Sequence, residues 1–169
     1  MAEARREEIS YTVSCPSCGR DTLNVKELHS DLPKLGRMAL FSMICSNCGY
    51  RLFDAVPLEY HGPARIEFHV KGPSDLTARV VRSSTCRVTI PELGLELRPG
   101  PKSDAFITNV EGVLDRFREV AEQLSPTSDD PERAKAILRQ IEDAMAGKVE
   151  FTLVLEDDLG NSAVFFEGD

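Results

Sequence analysis

The 169-residue sequence has no tryptophan, an aromatic share of 7% and only three histidines. The histidines stand at 29, 61 and 69. None belongs to a recurring metal-ligand pattern, so they do not suggest a catalytic metal site with an open position. No apolar run approaches the roughly 20 residues needed to cross a bilayer, so no membrane-spanning helix is expected. G-x-x-x-x-G-K-[ST], G-x-S-x-G and H-E-x-x-H are all missing, which removes P-loop nucleotide hydrolysis, nucleophile-elbow hydrolysis and zincin proteolysis. Basic residues are outnumbered, with 20 Lys/Arg against 28 Asp/Glu and a net charge of −8. The imbalance lies mostly in residues 61–169, which hold thirteen basic and twenty acidic residues, against seven and eight in residues 1–60. An acidic body repels phosphate, so nucleic acid is not an expected partner. Residues 1–8 are charged and lack an apolar segment, so no secretory leader is expected and a reducing, cytoplasmic setting follows.

What the sequence does have is cysteine in a pattern. Cys15-Pro16-Ser17-Cys18-Gly19 and Cys45-Ser46-Asn47-Cys48-Gly49 are two C-x-x-C clamps, each followed by glycine. The glycine suits the positive φ usually needed after the second cysteine. A single C-x-x-C would leave a dithiol redox centre open, but two matched clamps argue against separate redox sites. Four soft sulfur ligands read as one tetrahedral zinc, with a rubredoxin-like iron site as the lesser alternative. His29 lies between the clamps and could compete as a ligand, yet four cysteines already complete the set. Four thiolates close the coordination shell, so the ion is expected to be structural and sealed from solvent; no catalytic residues and no enzyme are expected. Cys86 sits among apolar positions and reads as a buried thiol.

The apolar pattern gives a coarse architecture. Residues 1–10 are expected to be frayed, residues 11–60 to form a zinc-ribbon finger, and residues 61–169 a β-rich domain, with the seam at His61-Gly62-Pro63. In the finger, strands are expected over 22–28, 37–44 and 50–56, with a loop at 30–36; the metal would join two small hairpins. Beyond the seam, alternation predicts strands near 66–70, 76–82, 86–90 and 93–97, divided by Gly/Pro turns. Thr108-x-x-Glu111 reads as a capping box with Thr108 as N-cap. Val110, Val113, Leu114, Phe117, Val120, Ala121 and Leu124 then share one helical face. Asp130-Pro131 opens a second helix and Gly147 ends it, giving a helical hairpin over about 109–146. Residues 149–156 and 162–166 close the fold as strands, and Asp157 to Asn161 reads as a hairpin turn rather than a cation loop.

Taken together, CPSCG, FSMICSNCGYR, DLTARVVRSS, TIPELGLEL, ITNVEGVL and FTLVLEDDLGNSAVFF, in this order, resemble the ZPR-type zinc-finger domain family from about Ser14 to Phe166. Asn109, Ser84 and Leu159 depart from that family's usual threonine, aspartate and proline. The resemblance implies a four-cysteine zinc ribbon holding one structural zinc on Cys15, Cys18, Cys45 and Cys48. It also implies a double-stranded β-helix-like domain carrying the helical hairpin. Eukaryotic members carry two such modules in tandem, and one fits here, which resembles the archaeal form. The resemblance further implies binding to translation elongation factor 1-alpha and service as its folding chaperone. The expected contact surface is Ser46, Asn47, Tyr50 and Arg51 on the second clamp. Neither a small-molecule substrate nor a membrane is expected. A zinc-ribbon protein of nucleic-acid binding or transcription is the alternative.

Overall fold

The fold is a computed structural model describing residues 7–59, 62–100, 103–127 and 129–167; His61, placed above at the seam, lies outside the described residues. The finger is one antiparallel meander of β1 (Glu7–Val13), β2 (Leu23–Leu32), β3 (Gly36–Cys45) and β4 (Arg51–Pro57), in that spatial order. Residues 7–10, expected to fray, are part of β1. Ile9, Tyr11 and Val13 alternate with Glu8, Ser10 and Thr12, and that period of two outweighs the charge around it. The expected pair of hairpins is in fact a continuous sheet, because β2 and β3 pair along ten residues, from Leu23↔Cys45 to Leu32↔Gly36. The expected loop at 30–36 shrinks accordingly to Pro33-Lys34-Leu35. Lys34 (φ 64°) and Gly36 (φ 67°) both adopt left-handed conformations to make so tight a reversal.

Two further sheets follow. β5 (Ala64–Val70), β10 (Phe151–Asp157), β7 (Arg87–Ile90) and β8 (Leu95–Leu97) form one, in that order; β11 (Ala163–Phe165), β6 (Arg79–Arg82) and β9 (Phe106–Asn109) form the other. Short strands arranged in two sheets around a common core are the jelly-roll solution to closing a β-protein. The core holds Val80, Val88, Ile90, Leu153 and Leu155, and the helices add Val113, Leu114, Ile141 and Ala144 to it. Part of the strand expected over 76–82 is instead a 3-10 turn at Asp75–Thr77, leaving only Arg79–Arg82 to pair.

The hairpin consists of α1 (Val110–Leu124) and α2 (Pro131–Met145). Asn109, not Thr108, is the N-cap of α1; its side-chain oxygen accepts from Gly112 N at 2.8 Å. β9 stays paired through Asn109↔Arg79, so the helix cannot begin until Val110; N3 is then Gly112, and the expected capping box gives way to a single N-cap bond. The apolar face of α1 also buries less than its spacing implied, since Val120 and Leu124 remain 50% and 61% exposed. α2 opens as expected, with Asp130 accepting from Arg133 N at 3.0 Å, and Gly147 follows its end at φ 67°.

The finger and the jelly roll share a second core. Leu35, Met38 and Ala55 from the finger pack with Val81, Ala105, Ala163 and Phe165. Lys34 Nζ also donates to the Val164 carbonyl at 3.1 Å. The far end of the finger is thereby anchored, and the clamps stand at the other end of β2 and β3.

Candidate metal centre

Each clamp is a knuckle linking two strands, and the two repeat the same backbone pattern. In the first, Cys15 N donates to Arg20 O at 2.8 Å and Gly19 N to Cys15 O at 2.8 Å. In the second, Cys45 N donates to Tyr50 O at 2.8 Å and Gly49 N to Cys45 O at 3.1 Å. Gly19 (φ 70°) and Gly49 (φ 74°) both take the left-handed conformation expected of them. The knuckles are tied together by Ser46 N donating to Thr22 O at 3.0 Å and by Arg20 Nη1 donating to Asn47 Oδ1 at 2.9 Å.

This backbone brings the four sulfurs of Cys15, Cys18, Cys45 and Cys48 within 4.8 Å of one another. Four thiolates about 2.3 Å from one ion would stand about 3.8 Å apart along each tetrahedral edge. Cys15 to Cys48 measures 3.7 Å and Cys18 to Cys45 measures 3.8 Å. The donor set and its spacing fit a tetrahedral metal ion, and the four cysteines are positioned to bind one. Neither His29 nor Cys86 joins them. His29 Nε2 pairs with Glu27 Oε1 at 2.7 Å, and Cys86 is a fully buried thiol of the jelly-roll core.

As free thiols the four are unequal. Burial pushes Cys15 up to about 11. Cys45 is brought down to about 6, first by the Thr22 hydroxyl 3.2 Å from its sulfur. Cys18 is lowered chiefly by the Arg20 backbone N–H. A bound cation replaces the thiol protons, so the site is built to exchange protons for metal. The expected seal against solvent is incomplete: Cys15 and Cys45 are buried, Cys18 is half-buried and Cys48 is exposed. Closure of the shell would come from the fourth thiolate itself and not from burial.

Of the expected contact residues, Ser46, Asn47 and Arg51 are exposed, whereas Tyr50 packs partly buried against the cysteine cluster. Thr22 went unremarked in the sequence, although its place just before β2, one turn after the first knuckle, aims its hydroxyl at Cys45. Also missed was Asp157, only 2% exposed, at the start of the last turn. Its carboxylate accepts from Ser83 Oγ (2.7 Å), Ser162 Oγ (2.6 Å), Thr85 Oγ1 (2.8 Å), Asn161 N (2.9 Å) and Leu159 N (3.1 Å). That network ties the β10–β11 turn to the segment after β6, and its role is architectural.

Residues 74–168 match the ZPR1 jelly-roll domain. The chain is 38% identical over 160 residues to a ZPR1-like protein of Methanocaldococcus jannaschii, covering 92% of this chain and 81% of that protein. It is 36% identical over 160 residues to a ZPR1-like protein of Pyrococcus horikoshii, covering 90% and 72%. It is 28% identical over 164 residues to the zinc finger chaperone zpr1 of Schizosaccharomyces pombe, covering 90% of this chain and 35% of that longer protein.

Proposed function

The chain belongs to the ZPR1 family, and from that premise we propose that it is a cytoplasmic, non-enzymatic zinc protein that binds the elongation factor 1-alpha class of translation GTPase and assists its folding. The observation that carries the reading is the convergence of four cysteine sulfurs within 4.8 Å at the knuckle end of the finger sheet. One zinc ion, held by Cys15, Cys18, Cys45 and Cys48, would complete its coordination with protein thiolates alone. Such an ion has no position for water or substrate, which favours a structural role over catalysis. The relative named as a zinc finger chaperone supports a protein as the partner.

Zinc would act here by holding the two knuckles at fixed separation. Ser46, Asn47 and Arg51 would then meet a partner already ordered, and docking would cost less conformational entropy. The net charge of −8 supplies a field complementary to a basic partner and opposes phosphate. Isothermal calorimetry of the zinc-loaded protein against a purified archaeal counterpart of elongation factor 1-alpha tests the proposal. Binding heat and co-elution are expected. Absence of both, or salt-sensitive heat with RNA in their place, overturns it.

A further inference from the structure

Among the described residues, the largest fully buried side chain is a charged one: Arg82 is 2% exposed. Side chains alternate along β6, so Val81 joins the core shared with the finger while Val80 and Arg82 turn into the jelly roll. Arg82 stands at the end of β6, opposite Phe106 of β9. A cleft of about 330 Å³ opens beside it, bounded by Leu97 of β8, Phe106, and Arg116, Phe117 and Val120 of α1, with Arg82 on its lining. Its volume falls within the range of small-ligand sites.

The neighbours of Arg82 satisfy its geometry and leave its charge. Nε and Nη2 donate to Cys86 O at 3.1 and 2.8 Å, and Nη1 donates to Asp104 O at 2.8 Å. A guanidinium carries five N–H groups, so one on each terminal nitrogen is left over. Arg65, Arg79, Arg87, Arg98 and Arg118 lie nearer to solvent, and all pair with carboxylates. Arg82 pairs with none among the described residues, although buried charges ordinarily are paired. Asp157, the one buried carboxylate among them, is already taken up by five donors of its own.

A second cation makes the imbalance worse. The Arg116 guanidinium stacks on Phe106 at 4.3 Å, and that of Arg82 lies 5.7 Å from the same ring. Arg116 also lacks a carboxylate partner among the described residues, and stacking leaves its N–H groups available. Burial is the first cause pulling the Arg82 pKa down, and the Arg116 charge adds to it. Backbone carbonyls explain Arg82 as a brace between the segment after β6 and the one before β9. They give no reason for a second guanidinium beside it, whereas an anion held by both relieves the repulsion.

The lining narrows the anion. Leu97, Phe117 and Val120 offer apolar surface, and Val120 is 50% exposed along it. Glu96, also on the lining, is neutralised by Arg87 at 3.5 Å and Arg98 at 2.9 Å. Asp104 and Glu119 are exposed there and oppose a second negative charge, which favours a monoanion over phosphate or a nucleotide. We infer that this cleft binds a carboxylate carrying an apolar group, its oxygens on Arg82 and Arg116 and its apolar body against Leu97, Phe117 and Val120. A free organic acid and the carboxyl terminus of a polypeptide ending in an apolar residue share that chemistry. The site is separate from the four cysteines and does not depend on the proposed function.

The test titrates the full, zinc-loaded chain with 4-methylpentanoate and with acetylated glycyl-glycyl-leucine. NMR follows the Arg82 Nε–H and the Leu97 and Val120 methyls. Saturable shifts of these signals are expected, and the neutral amide of each probe should leave them in place. R116Q should weaken binding by about tenfold, and D104N or E119Q should tighten it. Arg116 is exposed, and unchanged melting will show that R116Q folds; R82K, which keeps the charge and loses the fork, should weaken binding as well. If R82K lowers the melting temperature, R116Q alone decides. Tighter binding of the tripeptide assigns a polypeptide terminus as the source, and tighter binding of the free acid assigns a small molecule. The inference is overturned if neither probe binds, if acids and amides act alike, if R116Q binds as the wild type does, or if inorganic phosphate shifts the signals and the acids do not.

Discussion

Replacing Thr22 with valine isolates one interaction at the metal centre. Valine keeps the β-branched shape and leaves intact the backbone bonds from Thr22 N to Arg20 O at 2.8 Å and from Ser46 N to Thr22 O at 3.0 Å. Only the hydroxyl 3.2 Å from Cys45 Sγ is lost. Outer-shell partners of metal ligands are typically worth about 10- to 100-fold in metal affinity. Cys45 retains backbone donors from Cys48 and Asn47, so the lower end applies. Zinc affinity should therefore fall by about tenfold, or about 1.4 kcal/mol. Competitive titration against a chromophoric chelator measures it, and Thr22→Ser, which restores the hydroxyl, should bring affinity back. Thr22→Val within twofold of wild type, or Thr22→Ser behaving like valine, would refute the assignment of that hydroxyl to the metal site.

Cys45→Ser should lower stability by roughly 3 kcal/mol or more and mimic chelation, since the free energy of a structural zinc is folding free energy. Cys86→Ser, which only exchanges one buried group for a more polar one, should cost roughly 1–3 kcal/mol and leave zinc content unchanged; equal melting curves for both variants and for chelated protein would remove the four-cysteine site. Asp157→Asn should cost about 3 kcal/mol, because an amide cannot accept all five hydrogen bonds and one buried backbone N–H is orphaned. In a chain of this size that corresponds to a fall in Tm of about 6–12 °C. Burial pushes the Asp157 carboxyl up, but hydrogen bonds from Ser162, Ser83, Thr85 and Leu159 outweigh it and hold the group below the usual carboxylate value. Its stabilisation is therefore present at neutral pH and lost as pH falls through that depressed pKa, so the urea-measured gap between wild type and Asp157→Asn should narrow below about pH 4. Asn109→Ala should cost about 1 kcal/mol by urea unfolding through loss of the α1 cap, with Thr108→Ala sparing the cap bond.

The metal centre was legible because a C-x-x-C-G knuckle is local. Spacing within each clamp fixes which sulfurs can meet, and only the pairing of β2 with β3 had to bring the clamps together. Helix α2 was legible for the same reason, since Asp130, Pro131 and Gly147 act within a turn of where they stand. Long-range effects were not readable in this way. Thr108 looked like the cap until pairing of Asn109 with Arg79 kept that residue in the sheet. Asn109 is itself a strong capping residue, and that was the signal that placed the boundary one residue later. Asp157 looked like a turn residue because its partners Ser83 and Thr85 lie more than seventy positions away. Val120 and Leu124 fit the helical stripe by spacing alone, yet they stay exposed along an open cleft shared with Leu95 and Ile137 and are not packed into the core.

The seam near residues 59–62 divides the chain by composition but not by packing. A break there would leave Leu35, Met38 and Ala55 bare on one fragment and Val81, Ala163 and Phe165 bare on the other. Each fragment would present a ready patch for aggregation. Duplication or exchange during evolution is therefore constrained to carry finger and jelly roll as one heritable block, and a viable gene fusion would have to join beyond their common boundary.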